Sequence, residues 1–282
     1  MKKPKIEKPI VVLSGGQDST ITLFKAIEAA GDPINVCAMS FDYGQRHKLE
    51  LDAARTIAFK SGIKNWNVVE VPNVMLSSSP LTDIHEELEQ YNTAKEMDEI
   101  IGDRVELTFV PMRNALFLTI AANHALHYHC DSIWTGVCAD DNANYPDCTA
   151  KFVKNMQQMI DAALGKKDAV KLMAPLLNTP KHEALDECLH MAGCYTALGY
   201  SHTSYAGDYP PLDRNHATVL REDAFATAGL PDPLIIRAWI EGKMSLPDTA
   251  VYKNLPLTWM KPKADVQTQL AELEMLLAHW NR

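Results

Sequence analysis

A glycine-rich turn between a strand pattern and a helical pattern is the feature that most limits the fold of this chain. The apolar run at residues 10–13 predicts a buried strand, and residues 19–30 have helical spacing. Glycines let backbone N–H groups approach an anion closely, and a helix N-terminus adds partial positive charge. We therefore predict that residues 10–26 hold the pyrophosphate part of ATP through Ser14, Gly15, Gly16, Gln17, Asp18 and Ser19.

The same alternation continues along the chain. Further strands are predicted at 34–39, 66–71 and 133–135, and helices at 47–61 and 114–129. This pattern predicts an α/β fold with a Rossmann-like parallel sheet flanked by helices. The polar stretch 72–107 is longer than an ordinary connection and is predicted to be a lid or insertion that could close over a substrate.

The C-terminal part has helical patterns of its own. Thr179 is the predicted N-cap, and Pro180 the first residue, of a helix that runs to about residue 194. A helix over 220–228 is expected to end at Gly229, and 266–280 has the spacing of an amphipathic helix that docks on the body or on a second subunit. We expect residues 1–200 to form the ATP-binding domain and residues 201–282 a smaller helical C-terminal region.

Composition excludes several classes of protein. With 27 basic and 36 acidic residues the formal charge is −9, which gives no general attraction to nucleic acid and favours a small-molecule substrate. The first apolar stretch is too short for a secretory signal or a membrane span, so we expect a cytoplasmic protein. The six cysteines form no C-x-x-C pair, and neither a disulfide framework nor a cysteine-rich zinc site is indicated.

Charged residues near the loop suggest how phosphate is handled. The loop is not a Walker A motif, because the G-K-[ST] ending is missing. Asp18 would repel bare phosphate unless it binds a Mg²⁺ ion or caps the backbone of the helix. Arg113, just before a predicted helix, and Lys181, near a helix start, are candidate cations for the phosphates. The simpler alternatives are an Asp-Ser helix cap after a glycine turn and two solvated surface charges.

The loop resembles that of the ATP pyrophosphatase superfamily, whose members cleave ATP between the α and β phosphates. Four further strings narrow the resemblance to the 7-cyano-7-deazaguanine synthase family, over about residues 10–230: F-D-Y-G-Q-R-H at 41–47, V-P-M-R-N at 110–114, T-G-V-C at 135–138 and Y-P-D-C at 145–148. The resemblance implies an adenine nucleotide alpha hydrolase-like fold, use of ATP with Mg²⁺, and a homodimer. It also implies conversion of 7-carboxy-7-deazaguanine to the nitrile preQ0 with ammonia, through an adenylate and an amide.

The resemblance assigns roles to individual residues. Lys181, Arg113 and Asp18 are the expected catalytic residues, and Gly136 and Arg113 join the loop in binding ATP. The base requires a carboxylate, hydrogen-bond donors and aromatic surfaces, and the expected substrate residues are Tyr43, Arg46, His47, Asp141, Tyr145 and Asp147. Taken singly, Tyr43 could be core packing and His47 a helix cap. Cys138 and Cys148 are expected to be small residues of the pocket wall.

The chain departs from this family at two places. The family ordinarily has four zinc-binding cysteines, and the matching positions here are Ser204, Leu212, Asn215 and Thr218. These side chains cannot build a tetrahedral zinc site, so we predict no structural zinc; His202, Asp213 and His216 lie nearby but indicate a substitute metal site only weakly. Thr149 stands where the family typically has an arginine, which could alter how a substrate carboxylate is held.

Three functions remain open at this point. The first is preQ0 synthesis in an ATP-dependent carbon–nitrogen ligase of the queuosine pathway. The second is a deazaguanine-adenylating ligase that stops at the amide or uses another amine, including one on a protein. The third is a non-catalytic sensor of nucleotides or deazaguanines, against which the three charged candidates Asp18, Arg113 and Lys181 argue.

Overall fold

A parallel sheet forms the centre of the molecule. The computed structural model describes residues 7–46, 48–71, 79–83, 85–141, 144–253 and 255. In these residues the strands are β1 (Pro9–Val12), β2 (Cys37–Asp42), β3 (Asn65–Glu70), β4 (Ser132–Trp134) and β5 (Lys171–Met173). Their order is β3-β2-β1-β4-β5, and every neighbouring pair is parallel. The predicted α/β fold is confirmed.

Helices connect the strands and extend beyond the sheet. The described residues contain α1 (Gln17–Ala30), α2 (Leu49–Lys60), α3 (Ala94–Ile101), α4 (Arg113–His127), α5 (Ala150–Leu164), α6 (Lys181–His190), α7 (Cys194–Leu198), α8 (His216–Ala228), α9 (Pro233–Ile240) and α10 (Ala250–Lys253). No helix in this part of the chain is long and apolar enough to cross a membrane.

The central strands of the sheet are buried on both faces, and alternate residues of each strand point to opposite sides. Ile10 of β1 packs with Leu118 and the rest of a cluster under α4 and α5. Val11, the next residue, packs with Leu23 and Ile57 under α1 and α2. Such two-sided burial is the reason β1 reads as a continuous apolar run. The opposite side of α1 meets a third cluster formed with α6 to α9.

Several predicted boundaries were wrong. Pro180 is the N-cap of α6 instead of its first residue, and the helix ends at His190 instead of near residue 194. Helix α8 begins at His216, four residues before the predicted start, because the Asn215 side chain accepts hydrogen bonds from the backbone N–H groups of the first turn. Its end at Gly229 is confirmed, since Gly229 has the left-handed conformation typical of a helix C-terminus.

Strand β5 is missing from the sequence-based prediction. It spans three residues at the edge of the sheet, and Lys171 and Met173 are exposed. A short strand with one partly buried apolar side chain has too weak a pattern to be recognised in the sequence.

The described part of the polar stretch 72–107 packs on the C-terminal region. Tyr91, Met97 and Ile101 form a small apolar cluster with Val219 of α8. Arg214 binds the backbone of the same stretch, donating from Nε to the Tyr91 carbonyl at 3.0 Å. The end of the stretch therefore belongs to the body of the protein. Whether any of it closes over a substrate stays a prediction.

A buried ion pair holds the C-terminal helices together. Arg221 of α8 donates to both carboxylate oxygens of Asp232, at 2.6 and 2.8 Å, and also to Ser201 and Thr203. Asp232 in turn caps the N-terminus of α9. The division at residue 200 stays a prediction, and the predicted helix over 266–280 lies outside the described residues.

Candidate functional site

The glycine-rich loop joins β1 to α1 at the carboxyl edge of the sheet. Gly16 is the N-cap of α1 and has no side chain to occupy the free backbone N–H groups of the first turn. Ser14 and Ser19 share a hydrogen bond of 3.0 Å, and Ser14 Oγ also accepts from the Gly16 N–H at 3.2 Å. The loop thus places hydroxyl and N–H donors around a helix N-terminus, which is a favourable environment for phosphate.

Two glycines in this region are required by close packing. A Cβ on Gly15, which has φ of +90°, would lie 2.4 Å from the backbone oxygen of Glu50 in α2. A Cβ on Gly136, which follows β4, would lie 2.8 Å from the backbone nitrogen of Ser19. Gly15 therefore keeps the loop against α2, and Gly136 keeps the end of β4 against the first turn of α1.

Lys181 joins the loop to the opposite side of the site. Its Nζ lies 2.7 Å from Asp18 Oδ2, 2.9 Å from Cys138 Sγ and 3.4 Å from Asp141 Oδ1. The carboxylates of Asp18 and Asp141 hold the pKa of Lys181 well above its ordinary value although burial works against the charge. Lys181 is therefore a fixed positive charge beside the glycine-rich loop.

The start of α6 is positioned from outside the helix. Its N-cap Pro180 offers no side-chain hydrogen bond. Instead, the Asp140 carboxylate accepts from the backbone N–H of Lys181 at 2.6 Å. A carboxylate at a helix N-terminus also interacts favourably with the helix dipole. Asp140 thereby fixes the residue whose side chain reaches the loop.

Arg113 is the first residue of α4 and forms a second positive centre. Its Nη1 lies 3.4 Å from the Tyr43 hydroxyl, and its pKa is raised by the neighbouring Tyr43, Tyr205 and Asp147 in spite of burial. Burial raises the pKa of Tyr43, so the phenol stays neutral and accepts this hydrogen bond. Asp147 accepts from the backbone N–H of Asn114 at 3.3 Å, close to the start of the same helix.

A cavity of about 260 Å³ lies between these groups. Of the predicted site residues, those that line it are Ser14, Gly16, Gln17, Asp18, Ser19, Tyr43, Arg113, Gly136, Asp141 and Lys181. Both amide atoms of Gln17 are buried without a hydrogen-bond partner, as is Asp18 Oδ1. Unpaired buried polar atoms are costly, and hydrogen bonds to a ligand in the cavity would offset that cost.

Four predicted site residues are not among those that line the cavity: Gly15, Arg46, Tyr145 and Asp147. Arg46 donates to the Glu86 carbonyl at 3.1 Å and so holds the polar stretch; its contact with a base stays a prediction. Tyr145 is buried behind the wall and shares a hydrogen bond of 2.6 Å with Thr108. Of the two cysteines predicted as wall residues, Cys148 lines the cavity and Cys138 is not among the lining residues. His47 lies outside the described residues.

Several lining residues with titratable side chains were missed by the sequence-based prediction, among them Glu50, Tyr205 and His216. Glu50 comes from the first turn of α2, and burial raises its pKa to about 7. Tyr205 and His216 come from the C-terminal region. Burial lowers the pKa of His216 to about 4, so the imidazole is neutral near pH 7. Glu50 belongs to the helix after the F-D-Y-G-Q-R-H string, and this neighbourhood was the signal that could have identified it.

The positions that correspond to the zinc cysteines are used for hydrogen bonding. Ser204 is buried and its Oγ accepts from the Asp208 N–H at 3.1 Å, while Asn215 caps α8 and Thr218 donates to the Asn215 backbone oxygen. Leu212 is exposed. These side chains do not fit a zinc ion. In the described residues, the group of side chains that could hold a metal ion is Asp18, Cys138 and Asp141, at the loop.

The fold and the site together define an ATP-using enzyme of the ATP pyrophosphatase class. The features that define it are an all-parallel sheet, a Gly-Gly loop that leads into a helix, and a lysine paired with the loop aspartate. The model of one family, the queuosine biosynthesis protein QueC, matches residues 8–229. This chain belongs to that family.

Relatives support the assignment over most of their own length. The 7-cyano-7-deazaguanine synthase of Laribacter hongkongensis is 39% identical over 231 residues, which cover 82% of this chain and 95% of the relative. The enzyme of the same name from Chromobacterium violaceum is 37% identical, with coverage of 86% and 99%. That of Gloeobacter violaceus is also 37% identical, with coverage of 81% and 96%.

Among solved structures, a U34-tRNA thiolase from Methanococcus maripaludis aligns with 98% of this chain and 74% of its own. The TM-score is 0.39 and the sequence identity is 18%. A similarity this distant has no bearing on the function of the site.

Proposed function

We propose that the protein converts 7-carboxy-7-deazaguanine to 7-cyano-7-deazaguanine with ATP and ammonia. The observation that supports this most strongly is the position of Lys181 Nζ, 2.7 Å from Asp18 in the phosphate-binding loop. With Arg113 on the same cavity, two cations flank a space that also has aromatic walls. Membership of the family and the names of the relatives add the substrate class.

The first half of the reaction activates a poor electrophile. A carboxylate oxygen of the substrate attacks the α-phosphorus of ATP, pyrophosphate leaves, and an acyl adenylate forms. The loop N–H groups and the hydroxyls of Ser14 and Ser19 bind the departing phosphates. Lys181 and Arg113 offset the negative charge that develops on the phosphoryl oxygens, and such fixed charges supply a large part of the rate in phosphoryl transfer.

The second half forms the carbon–nitrogen bond and then removes the last oxygen. Ammonia attacks the acyl carbon, AMP leaves with one substrate oxygen, and a proton is released to give the amide. A second ATP activates the amide oxygen in the same way, with release of pyrophosphate and of one nitrogen-bound proton. Loss of AMP and of the remaining nitrogen-bound proton then gives the nitrile, so that two substrate oxygens leave on two molecules of AMP.

The residues at the loop fit a magnesium ion that accompanies ATP. Asp18 Oδ1 is buried without a hydrogen-bond partner, and Asp141 offers a second carboxylate in the same group. Hard oxygen donors of this kind suit Mg²⁺, which when bound would neutralise phosphate charge. Burial raises the pKa of Cys138, so its thiol stays protonated and is a poor ligand for this ion.

The experiment that tests the proposal follows the base. The protein is incubated with MgATP, 7-carboxy-7-deazaguanine and ammonium, and the base is identified by mass spectrometry. Nitrile, with AMP and pyrophosphate, is the expected product. Amide alone would replace the proposal with a ligase that stops one step earlier. Failure to consume ATP with this substrate, in protein shown to be folded, would contradict both and favour a sensor.

A further inference from the structure

Three carboxylates line the described part of the cavity, and two of them are already engaged. Asp18 and Asp141 face Lys181 at 2.7 and 3.4 Å. The third is Glu50. Within the part of the chain that the structure describes, no hydrogen bond or ion pair engages its carboxylate. The remaining predicted carboxylate, Asp147, is outside the lining and accepts from the backbone of Asn114.

The packing of the loop fixes where Glu50 lies. Glu50 is the second residue of α2, and the absence of a side chain on Gly15 lets its backbone lie directly against the loop. Arg113 is near enough to lower the pKa of Glu50, but burial outweighs this and raises the pKa to about 7. A half-buried carboxylate without a partner is destabilising in the free protein. A ligand with N–H groups would remove that cost.

Flat apolar surface lines the same cavity. Phe41 and Phe117 are stacked with ring centroids 4.0 Å apart, and the ring of Tyr43 lies 5.3 Å from that of Phe117. All three line the cavity. Aromatic side chains of this kind suit a planar heterocycle, while charged groups at its edges fix the orientation.

We infer that Glu50 recognises the guanine-like edge of the substrate, accepting one hydrogen bond from the ring N1–H and one from the 2-amino group. A carboxylate has two parallel acceptor oxygens that match two adjacent N–H donors. Arg113 is positively charged and therefore binds the phosphates or the carboxylate of the substrate. Glu50 thus supplies the carboxylate for which the sequence suggested Asp141 or Asp147. This inference rests on the proposed function.

The test compares two ligands that differ in one donor. Dissociation constants are measured by calorimetry for 7-carboxy-7-deazaguanine and for its analogue without the 2-amino group, 7-carboxy-7-deazahypoxanthine. The proteins are the wild type, Glu50→Gln, Glu50→Ala and the control Asp52→Asn, which changes an exposed carboxylate in the same helical turn. A hydrogen bond to a charged group gives about 10-fold to 100-fold discrimination.

We expect the wild type and Asp52→Asn to prefer the ligand with the amino group by that factor. In Glu50→Ala the dissociation constants of the two ligands should differ by less than about 3-fold. Glu50→Gln should have an intermediate preference because its amide keeps one hydrogen-bond acceptor. The melting temperature identifies any misfolded variant, and affinity for a non-hydrolysable ATP analogue shows whether a folded variant has lost binding of the base or of ATP.

Two results would overturn the inference. One is full discrimination in both Glu50 variants. The other is a loss confined to ATP affinity, which would place adenine against Glu50. If the folded wild type binds neither deazaguanine, the proposed function itself fails, and the inference fails with it.

Discussion

The ammonium group of Lys181 lies 2.7 Å from the carboxylate of Asp18, although the two residues are 163 positions apart in the chain. Asp18 is on the first turn of α1 and Lys181 is the first residue of α6, so two helix N-termini meet at one point. This contact gives the loop a positive charge that it lacks in its own sequence. The loop and Lys181 together form the candidate site for the phosphates.

Replacement of Lys181 by methionine should abolish most adenylation. The side chain retains its length but loses the charge beside the developing phosphoryl oxygens, and the expected fall in the rate of AMP formation is about 10²-fold to 10³-fold. Single-turnover measurements of AMP, with the melting temperature as a check on folding, test this. Lys154→Met, an exposed lysine on α5, is the control. A wild-type rate in Lys181→Met would exclude Lys181 from catalysis.

Glu50 should make the ligand-free protein less stable as the pH rises. Its pKa is raised from 4.5 to about 7 in the folded state, so the folded protein holds this proton more tightly than the unfolded chain. The associated stability is present below pH 4.5 and is lost as the pH rises through 7.

The substitution Glu50→Gln should remove this pH-dependent loss of stability. Relative to the wild type, its free energy of unfolding should rise by about 1–3 kcal/mol between pH 4.5 and pH 8, because one pKa unit corresponds to about 1.4 kcal/mol. Urea denaturation at the two pH values measures the change, and Asp52→Asn should show none of it. An equal difference between wild type and Glu50→Gln at both pH values would refute the assigned environment of Glu50.

The buried pair of Arg221 and Asp232 should be a main source of stability in the C-terminal region. Asp232→Ala leaves the guanidinium without its partner and also removes the cap of α9. Breaking a buried pair by removing one partner costs about 3–5 kcal/mol.

The exposed pair of Arg214 and Glu222 provides the matched control for urea denaturation. Glu222→Gln should change the free energy of unfolding by less than about 1 kcal/mol. Equal changes in the free energy of unfolding for Asp232→Ala and Glu222→Gln would show that the buried pair stabilises the protein no more than the exposed pair.

The protein should need no zinc for folding. Ser204, Asn215 and Thr218 make hydrogen bonds at positions where thiolates would be required. Metal analysis of the purified protein should find far less than one zinc per chain, and dialysis against a strong chelator should leave the melting temperature unchanged. One tightly bound zinc per chain would contradict this prediction.

Features formed by neighbouring residues were predictable from the sequence. Contacts between residues far apart in the chain were not. The loop and β1 were recognisable because a buried strand, two glycines and a helix follow one another in the chain. Glu50 was missed because it lies three residues past the F-D-Y-G-Q-R-H string, and its position at the cavity depends on the close contact of Gly15 with α2. The contact of Arg46 could not be predicted for a related reason: its partner, the Glu86 carbonyl, is 40 positions away and outside every recognised motif.

The fate of the substrate oxygens tests the central claim most directly. The protein is given 7-carboxy-7-deazaguanine labelled with ¹⁸O in both carboxylate positions, together with MgATP and ammonium, and the products are analysed by mass spectrometry. Adenylation predicts that each AMP released carries one ¹⁸O and that pyrophosphate carries none. Unlabelled AMP with ¹⁸O in phosphate or pyrophosphate would contradict an adenylate and, with it, the role assigned to the loop and Lys181.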